Sequence, residues 1–149
     1  MKTSETLLDL QELSVAFQTE DGPRRVVDQI SFSIQPQETL ALVGESGAGK
    51  SVTAHSILRL LPYPNASHPS GRIFFEGKDL LTLPETPLRG IRGNKISMIF
   101  QEPMTSLNPL HPVVHQVAEA AMLHQGASKH QAETLALEAL DKEQAPCES

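Results

Sequence analysis

Eight residues could do chemistry together: Gly44-Glu45-Ser46-Gly47-Ala48-Gly49-Lys50-Ser51. They fit G-x-x-x-x-G-K-[ST], the pattern of a loop that binds phosphate. Glycines let such a backbone curl close to an anion with no Cβ in the way. A helix that starts at the loop's end adds positive potential. A lysine at position 50 can reach β- and γ-phosphates, and the Ser51 hydroxyl can ligate Mg²⁺.

The flanks must hold the loop in place. Thr39-Leu40-Ala41-Leu42-Val43 before it is a short apolar run, which predicts a buried strand over 39–43. After it, 52–61 contains neither Gly nor Pro, which predicts a helix. Strand, tight turn and helix are the context a phosphate loop needs.

The rest of the chain supplies further elements. An imperfect alternation predicts a strand over 7–17, and Thr19-Glu20-Asp21-Gly22-Pro23 predicts a turn. Over 24–34, Val26, Ile30, Phe32 and Ile34 share one parity, with Asp28 as an exception; the two runs predict an antiparallel hairpin. Three prolines between 62 and 70 predict a surface loop, followed by a strand over 71–77. Residues 82–93 are irregular, with room for one helical turn, and 95–100 predicts a strand that delivers Gln101 at its C-terminal end.

Pro112 opens a helix whose apolar stripe is Val113, Val114, Val117, Ala118, Ala121 and Met122, and Gly126 ends it. Ser128-Lys129-His130-Gln131 is a capping box for a second helix, with Ala132, Leu135, Ala136, Ala139 and Leu140 on one face. Residues 141–149 are polar and without pattern.

Totals limit the partners. A net charge of -6 across 149 residues argues against nucleic acid, which needs a basic face. Arg72, Lys78, Arg89, Arg92 and Lys95 are a local exception, best explained as a solvated face. No run approaches the ~20 apolar residues of a membrane span, so direct insertion is not expected. A start without a secretory core and a single Cys147 fit a cytosolic protein. His111 and His115 have the spacing of two metal ligands, but Pro112 lies between them and no third ligand is evident.

Two blocks carry a resemblance. One is Leu42-Val43 through Lys50-Ser51-Val52; the other is Gly93-Asn94-Lys95-Ile96-Ser97-Met98-Ile99-Phe100-Gln101-Glu102-Pro103-Met104-Thr105-Ser106-Leu107-Asn108-Pro109. With them the chain resembles the ATP-binding subunit of an ABC transporter, in the oligopeptide/dipeptide importer branch that includes microcin C importers. The likeness covers about residues 7–140.

The resemblance implies an α/β phosphate-loop NTPase fold, present in its amino-terminal part. Residues 1–149 would be one piece of one ATP-binding domain. It would comprise an antiparallel β subdomain, part of a parallel core sheet with 39–43 central and 95–100 at an edge, and two helices of a helical subdomain. It implies ATP and Mg²⁺ as ligands, with 44–52 around the phosphates and Phe17 stacked on adenine. Ser51 and Gln101 would meet Mg²⁺. Partners would be membrane-spanning permease subunits and a second ATP-binding domain, at the cytoplasmic face of the inner membrane.

The chain departs from the family after the glutamine. The Leu-Ser-Gly-Gly-Gln signature is not found, nor an apolar run ending in Asp, a catalytic Glu or a switch His. Leu135-Ala136-Leu137-Glu138-Ala139-Leu140-Asp141 imitates the Asp motif, but its spacing is helical. A truncated gene product that does not hydrolyse ATP is therefore the expectation. A binding remnant without a transport role is the alternative. A small phosphate-loop kinase is disfavoured by the second block and by the want of an Arg-rich lid.

Overall fold

A computed structural model describes residues 6–101 and 107–144. The chain divides into two compact units, Met1–Leu88 and Arg89–Ser149.

The first unit is built on a sheet in the order β2-β1-β3-β4. Its strands are β1 (Leu8–Thr19), β2 (Gly22–Ile34), β3 (Ala66–Phe75) and β4 (Lys78–Asp79). β1 pairs antiparallel with β2 and with β3, so it is flanked on both sides and carries the core: Leu10, Leu13 and Val15 are buried. Glu76 and Gly77 both have positive φ, which matches the twist of a two-residue hairpin and brings β4 back along β3.

One line of bulges crosses this sheet. Glu12 (φ 47) inserts an extra residue into β1, and β2 gains one between the Leu13–Ile30 and Val15–Val27 pairs, where Gln29 also has φ 47. An extra residue reverses the inward and outward sides beyond it. Val27, not Val26, is therefore the buried residue, and Asp28 is exposed. Serines bond the backbone that the bulges free. Ser31 Oγ accepts from Glu12 N–H at 2.8 Å and Ser14 Oγ from Gln29 N–H at 3.0 Å, while Ser70 Oγ donates to Ser14 Oγ at 2.9 Å.

The expected loop over 62–70 gives way at Ala66, where β3 begins. Here too a bulge decides. Ser67 and Ser70 pair with Ala16 and Ser14, leaving one residue extra on β3, and Pro69 falls inside that irregularity, where its missing N–H is tolerated.

Helix α1 (Lys50–Ile57) is shorter than the 52–61 expectation. It stops without Gly or Pro because Arg59 takes φ +51, with Arg59 N–H bonded to Ser56 O (3.0 Å) and Leu60 N–H to His55 O (2.9 Å). This is the double bond pattern of a left-handed helix end. The Arg59 guanidinium holds the bend by donating to Leu83 O at 2.6 Å.

Two sequence expectations are corrected. Residues 39–43 and 95–100 form no strands. Neither has a ladder partner among the described residues, apart from one isolated bridge between Arg92 and Ile96. Extended chain becomes a strand only when its N–H and C=O groups are paired. Val43 is 92 % exposed and Ile99 96 %.

Short α2 (Glu85–Arg89) supplies the expected single turn. The second unit holds a helical hairpin, α3 (Val113–Gln125) and α4 (Lys129–Gln144). Pro112 precedes α3 and Gly126 ends it at φ 64. The seam is narrower than the expected stripes. Ala118, Ala121, Ala132 and Ala136 are buried in it, while Val113, Met122 and Leu135 are exposed. Gln131 Oε1 accepts from Ser128 N–H at 3.0 Å, closing one half of the capping box. α4 runs on through 141–144, which carried no pattern in the sequence. Residues 102–106, part of the second sequence block, and 145–149, with Cys147, lie outside the described residues.

Candidate functional site

The phosphate-loop sequence adopts a bend that ends in a helix. Gly47 and Gly49 have φ 82 and 83, a conformation costly for any residue with a Cβ. Gly49 is the residue before α1 and is buried against β2. Ala48 N–H donates to Glu45 O at 3.2 Å inside the bend. Residues 44–48 are exposed, so the bend projects from the unit and only Gly49 is sunk into it.

Lys50, half-buried, is the first residue of α1. Its ammonium turns back into the bend, donating to Gly44 O at 2.7 Å and Glu45 O at 2.6 Å. Thr53 fixes the helix start from inside: its N–H and its Oγ1 both donate to Gly49 O, at 2.8 and 2.9 Å. Ser51 is exposed and Val52 half-buried. His55 Nδ1 lies 2.6 Å from Ser51 O, a contact that puts the ring proton on Nδ1.

Beside the bend is a cavity of about 220 Å³, lined by Val26, Asp28 and Ile30 of β2, by Leu42 and Val43, and by Ala48 and Lys50. Phe17 is half-buried near the end of β1, paired with Arg24 on β2 and Ala66 on β3, and does not line this cavity. Gln101 belongs to the second unit and is exposed, just after the 97–100 segment.

His115 Nε2 lies 3.5 Å from Glu133 Oε1, and Lys129 Nζ 3.9 Å from the same oxygen. Among the described residues no group of three His, Cys, Asp or Glu could hold a metal, and no helix is long and apolar enough to cross a membrane.

Sequence reasoning missed two features of the site: the lysine bonds to Gly44 and Glu45, and the side-chain bonds of Thr53 and His55 to residues four positions back. The second had a signal. Thr four residues after a helix start can bond back to the carbonyl there. The first had none, because it depends on the path of the bend.

Residues 27–146 match the family model described as ABC transporter. The chain is 58 % identical over 142 residues to the peptidoglycan transport ATP-binding protein YejF of Agrobacterium fabrum; the match covers 94 % of this chain and 26 % of that protein. It is 44 % identical over 135 residues to the oligopeptide transport ATP-binding protein OppD of Bacillus subtilis, covering 91 % of this chain and 38 % of OppD. Among solved structures, the dimeric ATP-binding cassette MJ0796 superposes with a TM-score of 0.75 at 23 % identity, over 90 % of this chain and 56 % of that one, a likeness of fold. The chain thus spans roughly a quarter to two fifths of the relatives it matches. With the loop, the sheet and these matches together, the chain belongs to the ABC transporter family.

Proposed function

We propose that residues 1–149 are the amino-terminal part of one ATP-binding domain, and that the bend over 44–52 binds the phosphates of ATP. The observation that carries this is the loop geometry. Two left-handed glycines shape the bend, a helix starts at its end, and Lys50 sits at the junction. The residues present fit the ligand. A Cβ on Gly47 would meet nothing within 4 Å, so the space beside that backbone is open. Phe17 would stack on adenine, a contact worth about 1–3 kcal/mol by analogy with bases on aromatic rings. Ser51 would hold Mg²⁺, which supplies charge neutralisation at the phosphates.

The whole protein would be the energy-coupling component of a peptide importer, in keeping with its likeness to the oligopeptide transport protein OppD and the peptidoglycan transport protein YejF. It would work with membrane-spanning permease subunits and a second ATP-binding domain, at the cytoplasmic face of the inner membrane. The 149-residue chain would bind without turning over. Hydrolysis needs a carboxylate to orient water and another to support Mg²⁺, and the segment after Pro103 offers neither in the family's pattern.

Calorimetry tests this. Lys50→Ala removes a charge-assisted contact worth about 1.5–3 kcal/mol, at least tenfold in affinity. Equal ATP binding by wild type and Lys50→Ala would refute the site. Steady phosphate release surviving further purification would refute the non-hydrolytic reading.

A further inference from the structure

Resting on the phosphate-loop reading, we infer that Ser14, on the central strand β1, is a positioning residue for the loop: its hydroxyl fixes the stretch of β2 on which Gly49 rests.

That stretch is Val26 and Val27. A Cβ on Gly49 would meet Val26 O and Val27 Cγ2, both at 2.8 Å, so the backbone of the loop's last glycine lies directly on it. Gly49 O in turn accepts from Thr53 N–H at 2.8 Å and from Thr53 Oγ1 at 2.9 Å, so α1 begins where Gly49 is held. The ladder alone does not fix Val26 and Val27. Asp28 and Gln29 together face Ser14 between the Leu13–Ile30 and Val15–Val27 pairs, and Val26 is extra between the Val15–Val27 and Ala16–Arg25 pairs. An irregularity thus lies on each side of Val27, and bulged residues leave backbone groups out of the ladder. Ser14 Oγ supplies a bond on one side, accepting from Gln29 N–H at 3.0 Å. Ser14 is fully buried, and Ser70 Oγ donates to it at 2.9 Å, so the hydroxyl is itself held in place. An alanine would take that acceptor from the Gln29 N–H, free the bulge to shift and move the support under Gly49.

ATP calorimetry, with amide exchange measured in the absence of nucleotide, tests this on the full 149-residue chain. Ser14→Ala should weaken ATP binding about tenfold and speed exchange of the Thr53 amide about tenfold, with the Leu10 amide unchanged. Ile73→Val is the control. It removes a buried methyl from β3 where that strand pairs with Leu10, so it lowers stability away from Gln29. Its ATP affinity should stay within about twofold of wild type. Wild-type Thr53 exchange in Ser14→Ala, or equal loss of ATP affinity in the two variants, would overturn the proposal. If Ser14→Ala does not fold, Ser14→Cys decides by the same measurements, since it fills the space with a poor acceptor. Failure of the nucleotide reading is a separate result: wild type would not bind ATP, and Thr53 exchange alone would uphold or overturn the role of Ser14.

Discussion

A Cβ added to Gly49 would lie 2.8 Å from Val26 O and 2.8 Å from Val27 Cγ2. The loop's third glycine is thus as much a packing residue as a turn residue. It lets the start of α1 press on the β2 backbone. Gly47 differs, since it shares the left-handed φ but faces open space. Gly47→Ala should cost only backbone strain, about 1 kcal/mol. Gly49→Ala adds a clash with a carbonyl that cannot rotate away, and about 2–4 kcal/mol is expected. Urea midpoints of the two variants, with ATP calorimetry on both, check the ordering. Equal losses would show that Gly49 does not pack on β2 as described.

The tightest approach in the sheet gives a second prediction. A Cβ on Gly71 would lie 2.4 Å from Leu13 Cα and 2.6 Å from Glu12 O. Both are backbone atoms of the bulged central strand, and Gly71 itself has φ +93. Strain and overpacking then act together, and Gly71→Ala should destabilise the first unit by about 3 kcal/mol or more. Hydrogen exchange at Leu10 and Val15 is the measurement. If their protection matches wild type, β1 and β3 do not approach as closely as described.

These glycines also mark what the sequence could tell. The G-x-x-x-x-G-K-S spacing revealed the bend because its chemistry is local. The hairpin was legible from turn residues, and α3 from Pro112 and Gly126. The bulges were not legible. Strict alternation assigned Val26 to the core and left Asp28 as a misfit, whereas one extra residue in β2 makes Val27 the buried one. Arg59 hid the end of α1, since a left-handed arginine has no sequence mark and depends on a bond to Leu83 O from distant chain. The apolar run 39–43 has the composition of a strand but forms none, because a strand also needs neighbours, and no window of residues can supply them.

A pH dependence follows from His68. Burial first, and the Arg59 charge second, push its pKa below 6.5. Its Nε2 is shielded and has no hydrogen-bond partner among the described residues, and Tyr63 Oη lies 3.5 Å from Nδ1. The sign follows from linkage. Below pH 6.5 the unfolded chain binds a proton that the folded one resists, so folded stability falls as pH drops through this range and levels off below the folded pKa. His68→Gln carries no such proton. Urea midpoints near pH 7.5 and about 5.5 should separate more for wild type than for the variant. An identical pH response would remove His68 from the account.

The last prediction concerns the apolar groups that the described fold leaves in water. Val43 is 92 % exposed, Ile99 96 %, Leu110 86 % and Leu123 71 %. Leu42, in the same unpaired stretch as Val43, is 43 % exposed. Burying one such side chain is worth about 1.5–3 kcal/mol, so several exposed together favour association. Unpaired backbone over 39–43 adds the hydrogen-bonding groups that let extended chains dock edge to edge. The β1–β3 sheet, by contrast, has its ladders and its core within one unit. The 149-residue chain should therefore bind an apolar dye strongly and sediment as more than a monomer at micromolar concentration, while β1 amides remain protected. Replacing Leu42 and Val43 with Thr keeps the β-branched shape at 43 and removes apolar area, and it should lower dye binding and shift sedimentation toward monomer. Monomeric wild type with no dye signal, unfolding in one sharp cooperative step, would show that these side chains are covered in solution.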